Sequence, residues 1–265
     1  KKLVEKQKMY FNSGTCKSIK FRIEQLKKLQ KMINSNEKNL LAALKSDLGK
    51  SEAEGYLTEI GFVATEINYM MRKLPEFSRP AKVRTSLAYL GARSYIYSDP
   101  LGMVLIIGPW NYPFHLLMAP LVGSIAGGNC SILKPSEYAP NTSELIHNLV
   151  KDTFNEEYIA VVEGGIPQST ALLHNRFDHI FFTGSPSVGK IVMESAAQNL
   201  TPVTLELGGK SPCIIDKDIN IEYTARRIIF GKFLNAGQTC VAPDYLFVHH
   251  DIKDKLLERD RKSVV

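Results

Sequence analysis

A chain of 265 residues that is 44% hydrophobic can bury a substantial core, as one large domain or two smaller ones. Its 33 basic and 27 acidic residues leave a net charge of +6, yet the two signs are interspersed, which reads as a solvated surface and argues against nucleic-acid binding. The four cysteines, Cys16, Cys130, Cys213 and Cys240, never fall at the spacing of about two to four residues that a zinc or dithiol motif needs, so no metal is expected.

The first eighty residues carry helical spacing. "SIKFRIEQLKKLQKMI" sets Ile19, Ile23, Leu26, Leu29 and Ile33 at three- and four-residue intervals among Lys and Arg, and "AEGYLTEIGFVATEINYMMRKL" repeats the pattern. Neither carries a dinucleotide or metal motif, and both read as support helices. "SLAYLGARSYIYSDPLGMVLII" alternates around a glycine and predicts a strand or hairpin leading into a buried strand. The longest apolar candidate, "LGMVLIIGPW", is broken by Gly108 and Pro109 well short of the roughly 18 residues that span a bilayer. The N-terminus is polar and unlike a signal peptide, which with the free thiols predicts a cytoplasmic protein.

From about Leu101 the character changes. The short apolar runs "MVLII", "NCSILKP", "IAVVEGG", "HIFFTG" and "TPVTLELGG" alternate with helical stretches such as "TSELIHNLVKDTF" and "SVGKIVMESAAQNL". This βαβ rhythm predicts an α/β fold, a Rossmann-like parallel sheet flanked by helices. In such sheets ligands bind beyond the carboxyl ends of the strands, so residues just after each apolar run are the candidates for a site. Gly208, Gly209 and Pro212 interrupt the chain before "CIID", where a second domain is expected to begin. The expected organisation is N-terminal helices over 1–80, a dinucleotide-binding domain over 81–207, and the start of a second α/β domain over 208–265.

Five places could carry chemistry. In "HIFFTGSPSVGK" a strand ends at Thr183, Gly184 permits a tight turn, and a helix opens near Pro186, with free N–H groups where a phosphate could lie. The spacing is not G-x-G-x-x-G, and a plain strand-to-helix turn fits equally well. In "ILKPSE", Lys134 and Glu137 follow a strand, suited to ribose hydroxyls or, more simply, to a solvated lysine and a helix cap. Asn111, between Pro109 and Pro113, is a rigidly held amide that could donate to an oxyanion or merely close its own turn. Glu206, after the apolar "VTL", is expected to be partly desolvated, which favours a general base; an ion-paired surface Glu is the alternative. Cys240, in "FLNAGQTCVAPDY", carries the most nucleophilic neutral side chain, although a lone buried Cys is more often inert, as Cys130 and Cys213 read in their apolar runs.

In combination, "TLELGGKSP" and "FLNAGQTCVAPD" resemble the glutamate and cysteine active-site signatures of the NAD(P)-dependent aldehyde dehydrogenase superfamily. "PLGMVLIIGPWNYPF", "GGNCSILKPSE" and "FFTGSPSVGK" are similar to it as well, and "SYIYSDPLG" with the short helical N-terminus looks most like the class 3 branch of fatty and aromatic aldehyde dehydrogenases. The likeness runs from about residue 1 to about residue 257. It implies the aldehyde dehydrogenase fold and oxidation of an aldehyde to a carboxylic acid, with Cys240 attacking the carbonyl to form a thiohemiacetal. The Asn111 amide and the Cys240 backbone N–H would hold the oxyanion, a nicotinamide would take the hydride, and Glu206 would activate the water that hydrolyses the thioester. Lys134, Glu137, Thr183, Gly184, Ser185, Val188, Gly189, Trp110 and Leu207 would bind the cofactor. A carboxylate at Glu137 disfavours a 2′-phosphate, so NAD is expected, with NADP also accepted as in many class 3 members.

The resemblance further implies a small-molecule aldehyde substrate, a homodimer and no nucleic-acid partner, and the residues present indicate no membrane association. Members of the family continue well beyond this length, and the tail "RDRKSVV" does not resemble their continuing helix, so the second domain is expected to be truncated, with apolar strand edges exposed. The reading from another class is a non-catalytic dinucleotide-binding remnant, or an interaction protein that pairs those edges with another chain. A cysteine hydrolase is disfavoured because no histidine sits in a recognisable partner motif.

Overall fold

The computed structural model describes residues 1–263, with side chains as far as Arg259. Five α-helices come first: α1 (Lys2–Asn12), α2 (Ile19–Ser35), α3 (Glu37–Leu48), the single turn α4 (Glu52–Gly55) and α5 (Gly61–Phe77), with a π-type turn over Tyr56–Ile60 between the last two. A short antiparallel pair follows, β1 (Ala81–Val83) against β2 (Ser94–Ile96). The expected hairpin is therefore present, but its first strand lies upstream of "SLAYLG", which forms the connection and a short 3₁₀ turn at Leu87–Tyr89.

The sheet is then built from β3 (Met103–Ile107), α6 (His115–Gly127), β4 (Cys130–Lys134), α7 (Pro140–Thr153), β5 (Ile159–Val161), α8 (Ile166–Leu173), β6 (His179–Gly184), α9 (Pro186–Ala197) and β7 (Val203–Leu207). The strand order is β5-β4-β3-β6-β7, and β5, β4, β3 and β6 run parallel. Every residue of β3 and β4 is buried, which is why both read as unbroken apolar runs. The two-residue period of the strand sorts them onto two cores. Val104 and Ile106 join Leu26, Leu29, Ile67, Leu117 and Leu121 from the helices of one face, whereas Met103, Leu105 and Ile107 join Ile132, Phe177, Ile180 and Val192 on the other. Each fully buried Leu or Ile contributes roughly 1.5–3 kcal/mol, so the double-sided sheet dominates the stability of this part of the chain.

The remaining elements are β8 (Ser211–Ile215), α10 (Ile221–Phe233), β9 (Pro243–Val248) and α11 (Lys253–Ser263). Strands β8 and β9 pair in parallel, from Ser211 opposite Pro243 to Ile215 opposite Val248. The α10 N-terminus is capped by Asn220, whose Oδ1 accepts from the Tyr223 N–H at 3.0 Å. The core here is small: Ile215, Ala225, Ile252 and Leu256, with Cys213, Ile228 and Val248 against it. Ile214 is 78% exposed and Phe247 59%, so these strands show apolar side chains to solvent, as expected for this region. Helical backbone continues through the tail to Ser263, and Val264 and Val265, which close "RDRKSVV", lie outside the described residues.

The chain divides into two compact units, one comprising Lys1–Thr183 and Ser187–Glu206, the other Gly184–Pro186 and everything from Leu207 onward. The N-terminal helices belong to the same unit as the five-stranded sheet. Among the described residues no helix is long and apolar enough to cross a membrane.

Candidate active site

In the first unit the candidates gather where parallel-sheet topology places a ligand. From β3 the chain builds outward through β4 to β5, then returns to lay β6 and β7 on the other side of β3. The order thus reverses between β3 and β6, and the crevice beyond the carboxyl ends of those strands is the favoured binding position. Trp110 and Asn111 follow β3, Lys134 ends β4 with Glu137 just beyond it, and Thr183 closes the first unit's share of β6. The ends of β3 and β4 are tied by the Gly108 N–H, which donates to the Lys134 carbonyl at 3.0 Å.

Lys134 is not the solvated lysine that its motif taken alone suggests. It is 1% exposed, and its Nζ donates to the Pro135 carbonyl at 2.6 Å and to Glu137 Oε2 at 3.4 Å. Burial pushes its ammonium below the usual range, against the pull of Glu137 and then Glu163. A lysine held this way stands ready to donate to hydroxyl oxygens at the strand end. Glu137 is exposed and able to accept from hydroxyls. The Thr183 Oγ1 is buried without a protein hydrogen-bond partner, which leaves it open to a ligand group or a water. An ammonium, a carboxylate and an unsatisfied hydroxyl at one edge of a doubly wound sheet fit the polyhydroxyl and diphosphate chemistry of a dinucleotide. Trp110 is exposed in the loop after β3, and along α9 Val188 is exposed while Gly189 is buried.

Asn111 is half-buried, and its turn is held by a network that no motif announced. Lys50 and Glu59, both buried, are paired at 2.5 Å. The Lys50 Nζ also donates to the Asn111 carbonyl at 3.3 Å and lies 4.1 Å from the centre of the Tyr112 ring. Glu59 Oε2 accepts from the N–H groups of Phe114, at 3.0 Å, and His115, at 2.9 Å, at the opening of α6. Burial raises the Glu59 carboxyl, with Lys50 and the two N–H groups pulling the other way. In the sequence, "GKSEAEGYLTEI" has the polar spacing of a wet surface, so nothing in it marks these two residues as interior.

Glu206 ends the first unit, on β7, and is exposed. The expected desolvation is not found, because the apolar "VTL" lies on an outermost strand of the sheet whose last two residues face solvent.

In the second unit, Leu207 opens the longer segment and Cys240 is exposed, unlike the buried Cys16 and Cys130 and the half-buried Cys213. Its loop is wound against the usual hand: Asn235 and Ala236 both have φ of 54°, and Gly237 has φ of 79°. A left-handed alanine costs roughly 1–2 kcal/mol, a strain that persists where the surroundings over-determine it. Part of those surroundings is local. The Gln238 side chain donates to the Asn235 carbonyl at 3.0 Å, the Asn235 side chain donates to the Gln238 carbonyl at 3.3 Å, and the Ala242 N–H donates to the Thr239 carbonyl at 3.1 Å. The glycine-rich turn before β8 meets this loop: a Cβ at Gly209 would stand 3.1 Å from the Cys240 carbonyl oxygen. The two signature segments thus converge at the starts of β8 and β9, and only glycine fits at 209 without displacing the cysteine backbone. Asn111, Lys134, Glu137, Thr183 and Glu206 fall in the first unit, Gly184, Ser185, Leu207 and Cys240 in the second.

Comparison with known proteins accounts for this arrangement. Residues 2–264 match the aldehyde dehydrogenase family, so the match runs beyond residue 257, where the motif-based likeness was read to stop. The rat protein "Aldehyde dehydrogenase, dimeric NADP-preferring" is 48% identical over 261 residues, covering 98% of this chain and 58% of its own. Mouse "Aldehyde dehydrogenase family 3 member A2" is 46% identical over 254 residues, covering 96% of this chain and 52% of its own. A solved structure described as the "substrate bound state of Staphylococcus Aureus AldH" superposes with a TM-score of 0.97 at 49% identity, over 99% of this chain and 57% of that one. The chain spans about half the length of the curated relatives it matches. It belongs to the aldehyde dehydrogenase family, with class 3 members among its near relatives.

Proposed function

We propose that the protein, in its complete form, oxidises an aldehyde to a carboxylic acid through a covalent intermediate on Cys240. The observation that carries this reading is the convergence of the "LGGK" turn on the Cys240 loop, which holds an exposed thiol on a strained segment. The Cys240 thiolate adds to the carbonyl carbon and gives a tetrahedral thiohemiacetal. The Asn111 amide and the Cys240 backbone N–H donate to the developing oxyanion, the kind of placed dipole that is worth about 10²–10³ in rate. NAD(P)⁺, when bound, supplies the two-electron acceptor for the aldehydic hydrogen. Glu206 then takes a proton from water as its oxygen attacks the thioester carbon, and Cys240 departs as the thiolate, leaving the acid.

For the cofactor, Lys134 and Glu137 would take the ribose hydroxyls, while Thr183, Gly184, Ser185, Val188 and Gly189 would take the diphosphate and adenine side and Trp110 and Leu207 the remaining lining. Glu137 would repel a 2′-phosphate, which favours NAD, and the name of the rat relative supports use of NADP as well. The same name supports a homodimer. The aldehyde is proposed as a medium-chain or aromatic one.

The test is formation of the reduced dinucleotide from such an aldehyde, with Cys240→Ala as the control. Loss of turnover by about 10³-fold or more, with dinucleotide binding retained, is the expected outcome. Activity that survives in Cys240→Ala would sink the mechanism.

A further inference from the structure

We propose that the buried Lys50–Glu59 pair is a positioning device for aldehyde oxidation: it fixes the turn that carries Asn111 and so aims the amide at the oxyanion. This rests on the oxyanion role given to Asn111 above. Both side chains are shut away from water, Lys50 at 2% and Glu59 at 0% exposure, and neither belongs to a signature segment. An ion pair in such a place is a poor source of stability, since the loss of hydration largely cancels the attraction, so its presence here asks for another explanation.

The geometry supplies one. Besides the contact between Lys50 and Glu59, four of the pair's partners, Asn111, Tyr112, Phe114 and His115, lie on one short stretch. Lys50 touches Glu59, the Asn111 carbonyl and the Tyr112 ring, and Glu59 returns to the N–H groups of Phe114 and His115. Residues 111, 112, 114 and 115 are thus gripped in sequence, by a cation on the Asn111 carbonyl and by a carboxylate on the first N–H groups of α6, where negative charge is favoured. Pro113 fills the one position in this stretch that has no N–H to give. Glu59 itself arrives through the π-type turn Tyr56–Ile60, whose widened backbone differs from the helices on either side of it. A side-chain amide misplaced by about 1 Å loses up to 10²-fold in rate, so this grip is a catalytic asset without touching the substrate.

The experiment uses full-length protein containing this chain, with Lys50→Met/Glu59→Gln, in which neither charge is left alone in the interior. The expected result is a 10- to 100-fold fall in kcat/KM for the aldehyde, with the dissociation constant for NAD unchanged. In an Asn111→Ala background the same double substitution should cause no further fall, because its effect passes through Asn111. Equal losses in both backgrounds, or a parallel loss of NAD affinity, would overturn the inference and leave a merely structural pair. If Asn111→Ala alone does not lower kcat/KM, the oxyanion role itself fails and the inference falls with it. If the double variant does not fold, Glu59→Gln alone, which keeps an acceptor for α6, is read in the same two backgrounds with the same criteria.

Discussion

The two units of this chain solve the same problem, burying a parallel sheet, at very different depths. In the first, β3 and β4 are covered on both faces and buried along their whole length. In the second, β8 and β9 share a four-residue core and present Ile214 and Phe247 to solvent. The chemistry follows that division. Anchoring groups such as Lys134, Lys50 and Glu59 are interior residues of the well-buried unit, whereas the proposed nucleophile, Cys240, stands exposed on a loop whose bracing includes its own hydrogen bonds. A deep core holds groups still, and a shallow one leaves a reactive group accessible.

The sharpest test of that contrast is a pair of matched truncations. Leu105→Ala, at the centre of the sheet, should cost about 2–5 kcal/mol, while Leu256→Ala in the small core should cost about 1–2 kcal/mol because its surroundings can collapse or hydrate. Urea unfolding of both variants measures the difference, and equal costs would break the comparison. Next in size is Gly209→Ala. Its methyl group would press on the Cys240 carbonyl at 3.1 Å, so turnover should fall about 10- to 100-fold while the unfolding midpoint barely moves. A loss of stability with activity intact would show that the turn serves the fold and not the thiol.

The smallest effect is in pH. Burial lowers the pKa of His115 and of His179, both in the first unit. Below the ordinary histidine value of 6.5 the unfolded chain therefore binds more protons than the folded one, and this part of the stability declines as pH falls through that window. His115→Phe keeps the stacking against Phe62, whose ring centre is 5.1 Å away, and keeps the backbone N–H that Glu59 accepts. The variant should lose less stability between neutral and mildly acidic pH than the parent. An unchanged pH slope would remove His115 from the account.

Much of this was legible in the sequence, for identifiable reasons. Parallel strands buried on both faces are continuous apolar runs, so β3 and β4 announced themselves, β6 did so through its half-buried "HIFF" run, and α2 through its three- and four-residue period. Helix α6 did not: "HLLMAPLVGSIAG" is apolar nearly all round and contains Pro120, which leaves no polar face to set a period. The site was readable where a short motif concentrates unusual residues, as around Cys240. It was misread where burial depends on distant elements, since Glu206 looked desolvated and is exposed, and Lys134 looked solvated and is interior. Lys50 and Glu59 were invisible because their partners come from a turn far along the chain, 61 residues on for Lys50 and Asn111 and 55 for Glu59 and Phe114.

The left-handed run at Asn235, Ala236 and Gly237 has a consequence for chirality. Helix α10 ends at Phe233, and the next residues but one coil the opposite way, a geometry in which a mirror-image amino acid would rest more comfortably than the natural one. Extending the helix by the roughly two turns that would take in Cys240 means unwinding this left-handed run first. The thiol keeps its place because the backbone changes hand in front of it.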